Sequence, residues 1–447
     1  MLRGTMAIDA RGHLVIGGCD AVKLAQDYGT PLYVLDEAAL RERAREYRQA
    51  FSRYLPGSEV IYAGKALLNT AICRIMAEEN LALDVVSGGE LYTALVAAFP
   101  TEKIYFHGNN KSRQELAMAL DHRVGRIVVD SFYELKLLQE LAAARNTVAN
   151  ILVRITPGVE PNTHSYIQTG QFDSKFGFPL GTKDTLAAIE AADQMPNLRL
   201  WGLHCHIGSQ IFGLESFVTA TKVMVRFLAE IKESLGLEIM ELDLGGGLGI
   251  RYHDGNEPPS LGEYAKALGE AICESCTELE LPIPKIMVEP GRSIVGEAGT
   301  TLYTVGSIKD IPGVRRYVAV DGGMADNPRV TLYQAVYEAC LANKAKDEPK
   351  ELVTIAGKCC ESGDMLIKDI MLPPAEPGDV LAVFATGAYN YSMASNYNHL
   401  PRPAMVTVYK GMSEIIVERE SYVDLIRLDR VPPRLTTSTE TLAGKLT

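Results

Sequence analysis

Short β-rich runs recur as far as residue 289, each followed by a stretch with helical spacing, and this alternation limits the fold more than any other feature of the chain. The runs fall at 59–63, 83–86, 103–107, 126–130, 150–155, 200–206, 241–244 and 285–289. Most are continuously apolar rather than alternating, as expected of parallel strands covered on both faces. Between them, residues 131–145 place Phe132, Leu135, Leu138 and Leu141 at helical spacing with Ser131 as N-cap, and 112–120 and 215–235 have the same character. Eight such units predict an α/β fold, a (β/α)8 TIM-type barrel over residues 36–291. A doubly wound parallel sheet has the same local pattern and is the alternative.

After residue 291 the texture changes. Runs at 301–308, 316–320, 352–356, 380–385 and 404–410 are strand-like, separated by loops rich in Gly, Pro and Asn. They predict a second, mainly β domain over 292–431. Residues 1–35, with strand-like runs at 13–16 and 32–35, are expected to join it. Residues 432–447 have no periodic pattern and are expected to form a flexible tail.

The 447 residues suffice for two domains, and 44 Lys and Arg against 56 Asp and Glu give a net charge of −12. That balance weighs against binding nucleic acid or an anionic membrane surface, which needs a basic face. No apolar run is long enough to span a bilayer, and the N-terminus has no apolar signal segment. Eight Cys are too sparse for a disulfide framework, and no paired Cys-x-x-Cys motif implies a metal, so none is expected. A reducing, cytoplasmic setting is expected.

Barrels carry their functional groups at the carboxyl ends of the strands. Five such ends are unusual here: Tyr62-Ala63-Gly64-Lys65; Ser87-Gly88-Gly89-Glu90; His204-Cys205-His206-Ile207-Gly208-Ser209; Gly245-Gly246-Gly247-Leu248-Gly249; and Glu289-Pro290-Gly291-Arg292. Residues without Cβ atoms let backbone N–H groups converge on an anion, so Gly245, Gly246 and Gly247, together with Gly291 and Arg292, predict a phosphate site. A lone Lys is usually a solvated charge, but at a barrel mouth the Lys65 amine can condense with a carbonyl cofactor. Glu289 can pair with a protonated pyridine nitrogen, which makes the ring an electron sink; a structural salt bridge is the plainer alternative. His206 can lie flat on such a ring or serve as a core histidine.

In the second domain, Arg329 can bind a substrate carboxylate in bidentate fashion and Glu361 can meet an ammonium. Cys360 can donate a proton or be a buried small hydrophobe, and Tyr389 can be a core or turn residue.

These stretches, together with Asp84-Val85-Val86-Ser87, His107-Gly108-Asn109-Asn110-Lys111, Cys360-Glu361-Ser362-Gly363-Asp364 and Gly387-Ala388-Tyr389, run in order across residues 14–410. In that order the chain resembles the fold-type III pyridoxal-phosphate decarboxylases, most closely those acting on diaminopimelate. The resemblance implies pyridoxal 5'-phosphate on Lys65, surrounded by Ser87, His206, Ser209, Gly245, Gly246, Gly247, Glu289, Pro290, Gly291, Arg292 and Tyr389. It implies substrate contacts from Arg292, Arg329, Tyr333, Glu361 and Tyr389. It also implies a homodimer with shared sites, in which Cys360 and Glu361 serve the neighbouring subunit.

The expected reaction is decarboxylation of meso-2,6-diaminopimelate to L-lysine and CO2, the last step of lysine biosynthesis, with Cys360 rather than Lys65 returning a proton to carbon. Ornithine and arginine lack the remote carboxylate and would leave Arg329 without a partner. A racemase of this fold prefers an Arg at the ring nitrogen, where this chain has Glu289. A non-catalytic cofactor-binding protein would not need the domain that carries Cys360 and Glu361. One departure from the family pattern is Val330, where Pro is expected after Arg329.

Overall fold

The computed structural model describes residues 2–159 and 173–435. Its first body is a closed barrel of eight parallel strands: β1 Glu59–Ala63, β2 Ala82–Val85, β3 Ile104–Phe106, β4 Arg126–Val129, β5 Ala149–Thr156, β6 Leu198–His204, β7 Glu241–Asp243 and β8 Lys285–Val288. Each strand pairs with the next. Closure comes from β8 against β1, with Met287 opposite Glu59 and Val288 opposite Val60, which excludes the doubly wound sheet. The expected helices form as Arg113–Asp121, Phe132–Ala144 and Leu214–Leu235. Ser131 caps the second by accepting the Glu134 N–H, and Ser112 makes a reciprocal capping box with Glu115 on the first.

Apolar residues continue along the strands because the two faces bury different things. Val60, Tyr62, Leu83, Val85, Phe106, Ile127 and Val153 face outward into the large core shared with the helices. Residues two positions apart on the other face fill the interior in three layers. The lowest is polar and self-satisfied. Arg126 donates to both oxygens of Glu241 at 2.7 and 2.6 Å. Lys285 and the Tyr105 hydroxyl both reach Glu59 Oε2, at 2.5 and 2.9 Å. The middle layer is apolar: Ile61, Ala82, Tyr105, Val128, Leu152 and Met287. The top layer is polar again and forms the floor of the site described below.

The second body is built on the 13-residue strand Gly299–Ile311, which pairs antiparallel with Leu32–Asp36, Val380–Phe384 and Arg315–Val320. The N-terminal strip therefore contributes Leu32–Asp36 to this sheet, between Gly299–Ile311 and Ala404–Tyr409. Leu14–Ile16 belongs instead to a separate three-stranded sheet with Ala7–Ile8 and Cys19–Asp20. Asp36 ends its strand and caps the helix Glu37–Tyr54, carrying the chain from sheet to barrel. The expected tail begins with a 3-10 turn at Pro433–Leu435, and the rest of it lies outside the described residues. All eight cysteines are free thiols. Among the described residues, no helix is long and apolar enough to cross a membrane.

Candidate active site

Every barrel strand delivers one polar side chain at or just beyond its carboxyl end: Lys65, Asp84, His107, Asp130, Arg154, His204, Asp243 and Glu289 in strand order. All but Lys65 are buried. The Lys65 ammonium donates to Asp84 Oδ2 at 3.0 Å. Burial opposes its charge, but Asp84 and Glu289 outweigh burial and raise its pKa.

Glu289 is the centre of the floor. His107 Nε2 lies 2.7 Å from its Oε1, and His204 Nε2 lies 3.2 Å from its Oε2. Burial alone would protonate Glu289, yet the two imidazoles overcome burial and hold it ionised, well below the usual range. Asp243 goes the other way, since burial and the nearby Glu289 charge push it well up. Burial drives His204 down to about 3, so its imidazole is neutral.

A cavity of about 490 Å³, within the usual size of a small-molecule site, opens above this floor. Among the described residues its lining has five cationic side chains, Lys65, Arg154, Lys175, Arg292 and Arg329, against the single carboxylate of Glu289. Arg292 donates to Tyr252 Oη at 2.7 Å and, through Nη2, to Ser209 Oγ at 2.9 Å. Arg329 donates to Tyr337 Oη at 2.6 Å, and its Nε has no partner. Tyr252 lies beneath both guanidiniums, 5.8 Å from Arg292 and 4.6 Å from Arg329. Both arginines are buried, and no described carboxylate pairs with either. Two buried cations without counter-ions are costly alone, so the cavity is built to receive anions.

Of the residues expected from sequence, Lys65, His206, Ser209, Glu289, Arg292, Arg329, Tyr333 and Tyr389 all line this cavity. The Gly246 N–H donates to His206 Nδ1 at 3.2 Å, which fixes the imidazole as its Nε2–H tautomer. A Cβ on Gly246 would sit 2.0 Å from the Glu289 carbonyl oxygen, so only glycine lets the loops after β7 and β8 meet here. Gly245 receives the Glu289 N–H on its carbonyl at 2.8 Å, and Gly247, at φ +122°, packs on Gly208. Pro290 accepts the Ala63 N–H at 3.1 Å, and Gly291 packs on Ala63 and Ala66, tying the β8 loop to the Lys65 turn.

Ser87 does not line the cavity; its Oγ accepts the Glu90 N–H and caps the helix Gly88–Val96. Cys360 and Glu361 also lie outside it, exposed on a loop whose Cys360 N–H donates to Asn398 at 2.7 Å. Pro328 precedes Arg329 and opens the short helix Arg329–Tyr333, so a proline flanks the arginine on the other side from that expected.

Sequence reasoning assigned no role to Asp84, His107, Arg154, His204, Asp243 or Tyr252. All but Tyr252 lie two residues beyond a residue of the barrel interior or close a strand, in step with an inward face that the continuous apolar runs conceal.

Residues 37–296 match the family described as pyridoxal-dependent decarboxylase, pyridoxal binding domain. A diaminopimelate decarboxylase of Bacillus subtilis (strain 168) is 55% identical over 428 residues, covering 96% of this chain and 98% of its own. That of Mycobacterium tuberculosis (strain ATCC 25618 / H37Rv) is 44% identical over 430 residues, covering 94% and 96%. The crystal structure of diaminopimelate decarboxylase from M. jannaschii in complex with L-lysine superposes with a TM-score of 0.91 at 40% identity, covering 97% of this chain and 99% of that one.

Proposed function

The chain belongs to the pyridoxal-dependent decarboxylase family, and from this premise we infer that it converts meso-2,6-diaminopimelate to L-lysine and CO2 with pyridoxal phosphate as cofactor. The observation that carries the substrate is the buried Arg329 guanidinium, without a carboxylate partner in the cavity that also holds Lys65, Glu289 and Arg292.

The residues fit the cofactor. A buried carboxylate forms the floor, an imidazole stands on the wall, a lysine amine lies across from them, and an arginine waits beside a glycine run. When bound, pyridoxal phosphate supplies an aldehyde for an amine to condense with and a cationic ring that accepts the electron pair left by departing CO2.

The protein does the rest. Lys65 is the condensing amine, and Asp84 anchors it when it is protonated. Glu289 would hold the ring nitrogen and favour its protonated form. His206 would hold the ring, and Gly245 to Gly247, Ser209, Arg292 and Tyr389 would hold the phosphate. Arg329 takes the remote carboxylate of the substrate, with Tyr333 beside it.

Cys360 and Glu361 act from a second copy of the chain. The thiol gives its proton to the carbon that has lost CO2, and the carboxylate meets the remote ammonium. Their exposure outside their own cavity supports this reading. Eight free thiols fit a reducing, cytoplasmic setting, and a net charge of −12 weighs against a nucleic-acid or anionic-membrane partner.

CO2 release from meso-diaminopimelate, assayed beside lysine, ornithine and arginine, tests the substrate. Turnover of diaminopimelate alone is expected, and faster release from ornithine or arginine would overturn the reading. Lys65→Ala is expected to abolish both turnover and the absorbance band that forms with pyridoxal phosphate near the visible edge. Borohydride should then fix no cofactor to the chain.

A further inference from the structure

We propose that Tyr337 is a positioning residue for Arg329: its hydroxyl holds the guanidinium in place without neutralising it, so that the charge stays available to the remote carboxylate of the substrate. This deepens the substrate reading above and rests on it.

Arg329 is buried, and among the described residues its guanidinium makes one hydrogen bond, from Nη1 to Tyr337 Oη at 2.6 Å. Its Nε has none. An arginine does not deprotonate in proteins, so a full positive charge sits here. An unpaired ion in a dry site is costly, and a buried arginine ordinarily leans on a carboxylate. Here two phenol rings stand in that place. The guanidinium carbon lies 4.6 Å from the centre of the Tyr252 ring and 5.7 Å from that of Tyr337. The rings meet edge-on, with centroids 5.4 Å apart at 85°, and form a corner around the cation. A carboxylate in that corner would compete with the ligand. Aromatic faces and a neutral hydroxyl do not.

The hydroxyl is oriented from behind. Asn390 is buried, and its Nδ2 donates to the Thr386 carbonyl at 3.1 Å, which leaves Oδ1 to face Tyr337. Tyr337 donates to that Oδ1 at 3.3 Å, a long bond that still engages the one phenolic proton. The lone pairs of the phenol oxygen are then left for Arg329. The Tyr252 ring is fixed as well, since its Oη accepts from Arg292 Nη1 at 2.7 Å. These residues come from separate segments: Tyr252 from the loop after β7, Tyr337 from just ahead of the strand Ala339–Leu341, and Asn390 from the loop after Val380–Phe384. Arg329 is thus held by groups from both the barrel and the β domain.

The experiment titrates the holoenzyme calorimetrically with L-lysine, which has the carboxylate assigned to Arg329, and with cadaverine, the same diamine without it. Wild type should bind lysine about 30–100-fold more tightly, the size expected for a charged hydrogen-bonded pair. Tyr337→Phe keeps the ring and loses the hydroxyl. It should lower that ratio about 10-fold with cadaverine affinity unchanged, and raise KM for meso-diaminopimelate about 10-fold with kcat nearly unchanged, because the reacting end of the cavity is untouched. Tyr105→Phe removes a likewise buried phenol at the other end of the barrel, where its hydroxyl meets Glu59, and should leave the ratio as in wild type.

A Tyr337→Phe ratio equal to that of wild type would overturn the proposal. So would a fall of the same size in Tyr105→Phe, which would assign the effect to loosened packing. Should Tyr337→Phe fail to fold, Asn390→Ala decides. It leaves the phenol but removes its tether, so the ratio should fall about threefold, the size expected for one neutral hydrogen bond, and an unchanged ratio would sink the proposal. If wild type itself binds lysine and cadaverine alike, the reading that Arg329 takes a carboxylate fails, and this proposal with it.

Discussion

Glu90 has a pH signature unlike that of its neighbours at the barrel mouth. Its Oε2 accepts the Val86 N–H at 2.7 Å, yet burial, reinforced by the Asp84 charge, outweighs that bond and the attraction of Lys65 and His107 and raises its pKa to about 7. The unfolded carboxyl titrates near 4.5, so between about pH 4.5 and about pH 7 the folded chain holds a proton that the unfolded chain has released. Stability from this group is complete below the lower value and lost as pH rises through the upper one. Glu90→Gln keeps an acceptor for Val86 without the charge. Thermal melts should show it more stable than wild type at pH 8 by on the order of 2–3 kcal/mol, with little difference at about pH 4. An equal shift at both pH values would mean that Glu90 is not the titrating group. The same position illustrates what a sequence discloses about a site. Lys65, His206, Glu289 and Arg292 were legible because they interrupt apolar runs beside glycines. His107 and His204 were not, because a histidine at the end of an apolar run has the same appearance whether it packs in a core or grips a carboxylate. Only the cross-barrel distances to Glu289 separate the two.

Among the elements, the loop after β3 shows how a segment with little secondary structure is held to the barrel. Lys111 is buried and donates to the carbonyls of Gly108 and Val128 and to Glu134 Oε1, each at 2.7 Å. Glu134 in turn accepts the Asp130 N–H through Oε2 at 3.0 Å. One ammonium thus fastens the loop carrying His107 to β4 and to the helix Phe132–Ala144. Lys111→Met leaves Glu134 buried without its cation and should cost about 3–5 kcal/mol in thermal or denaturant unfolding. Lys111→Met with Glu134→Gln should recover part of that loss, and no recovery would show that the pair does not act as a unit. Cofactor affinity should fall with the single change, since Gly108 and Asn109 line the cavity. Strand number and order were legible from the apolar runs, which are set by outward packing against helices. The interior layering was not, because strands that are apolar outside and mixed inside blur into continuous runs. Tyr105 and His107, or Val128 and Asp130, reveal the period of two only once the inward face is known.

At the scale of the molecule, one chain builds the floor of the cavity, while the thiol and the second carboxylate proposed for the reaction lie outside it. Within the described residues the cavity has no thiol in its lining and no carboxylate beyond Glu289, which is occupied by imidazoles. Cys360 and Glu361 are exposed on a loop that Asp364 bolts to the β domain, its carboxylate accepting the Cys359 N–H at 2.8 Å and the Met324 N–H at 2.6 Å. A rigid, outward-facing loop with a thiol and a carboxylate suits a neighbour's cavity better than its own. The linear order sets Cys360 among the other motifs on equal terms, and only the family resemblance led to the expectation that it and Glu361 serve a neighbour. If two copies complete each other's sites, a Lys65→Ala chain and a Cys360→Ala chain fail for opposite reasons. Each is expected to be nearly inactive alone. Mixed in equal amounts and allowed to exchange subunits, half of the dimers are hybrids, and each hybrid has one site with both residues intact. Activity should therefore rise to about a quarter of the wild-type value, since one site in four is whole. The rise should follow the time course of subunit exchange and vanish if exchange is blocked by cross-linking beforehand. A mixture no more active than its components would mean that the thiol serves its own cavity or no cavity at all.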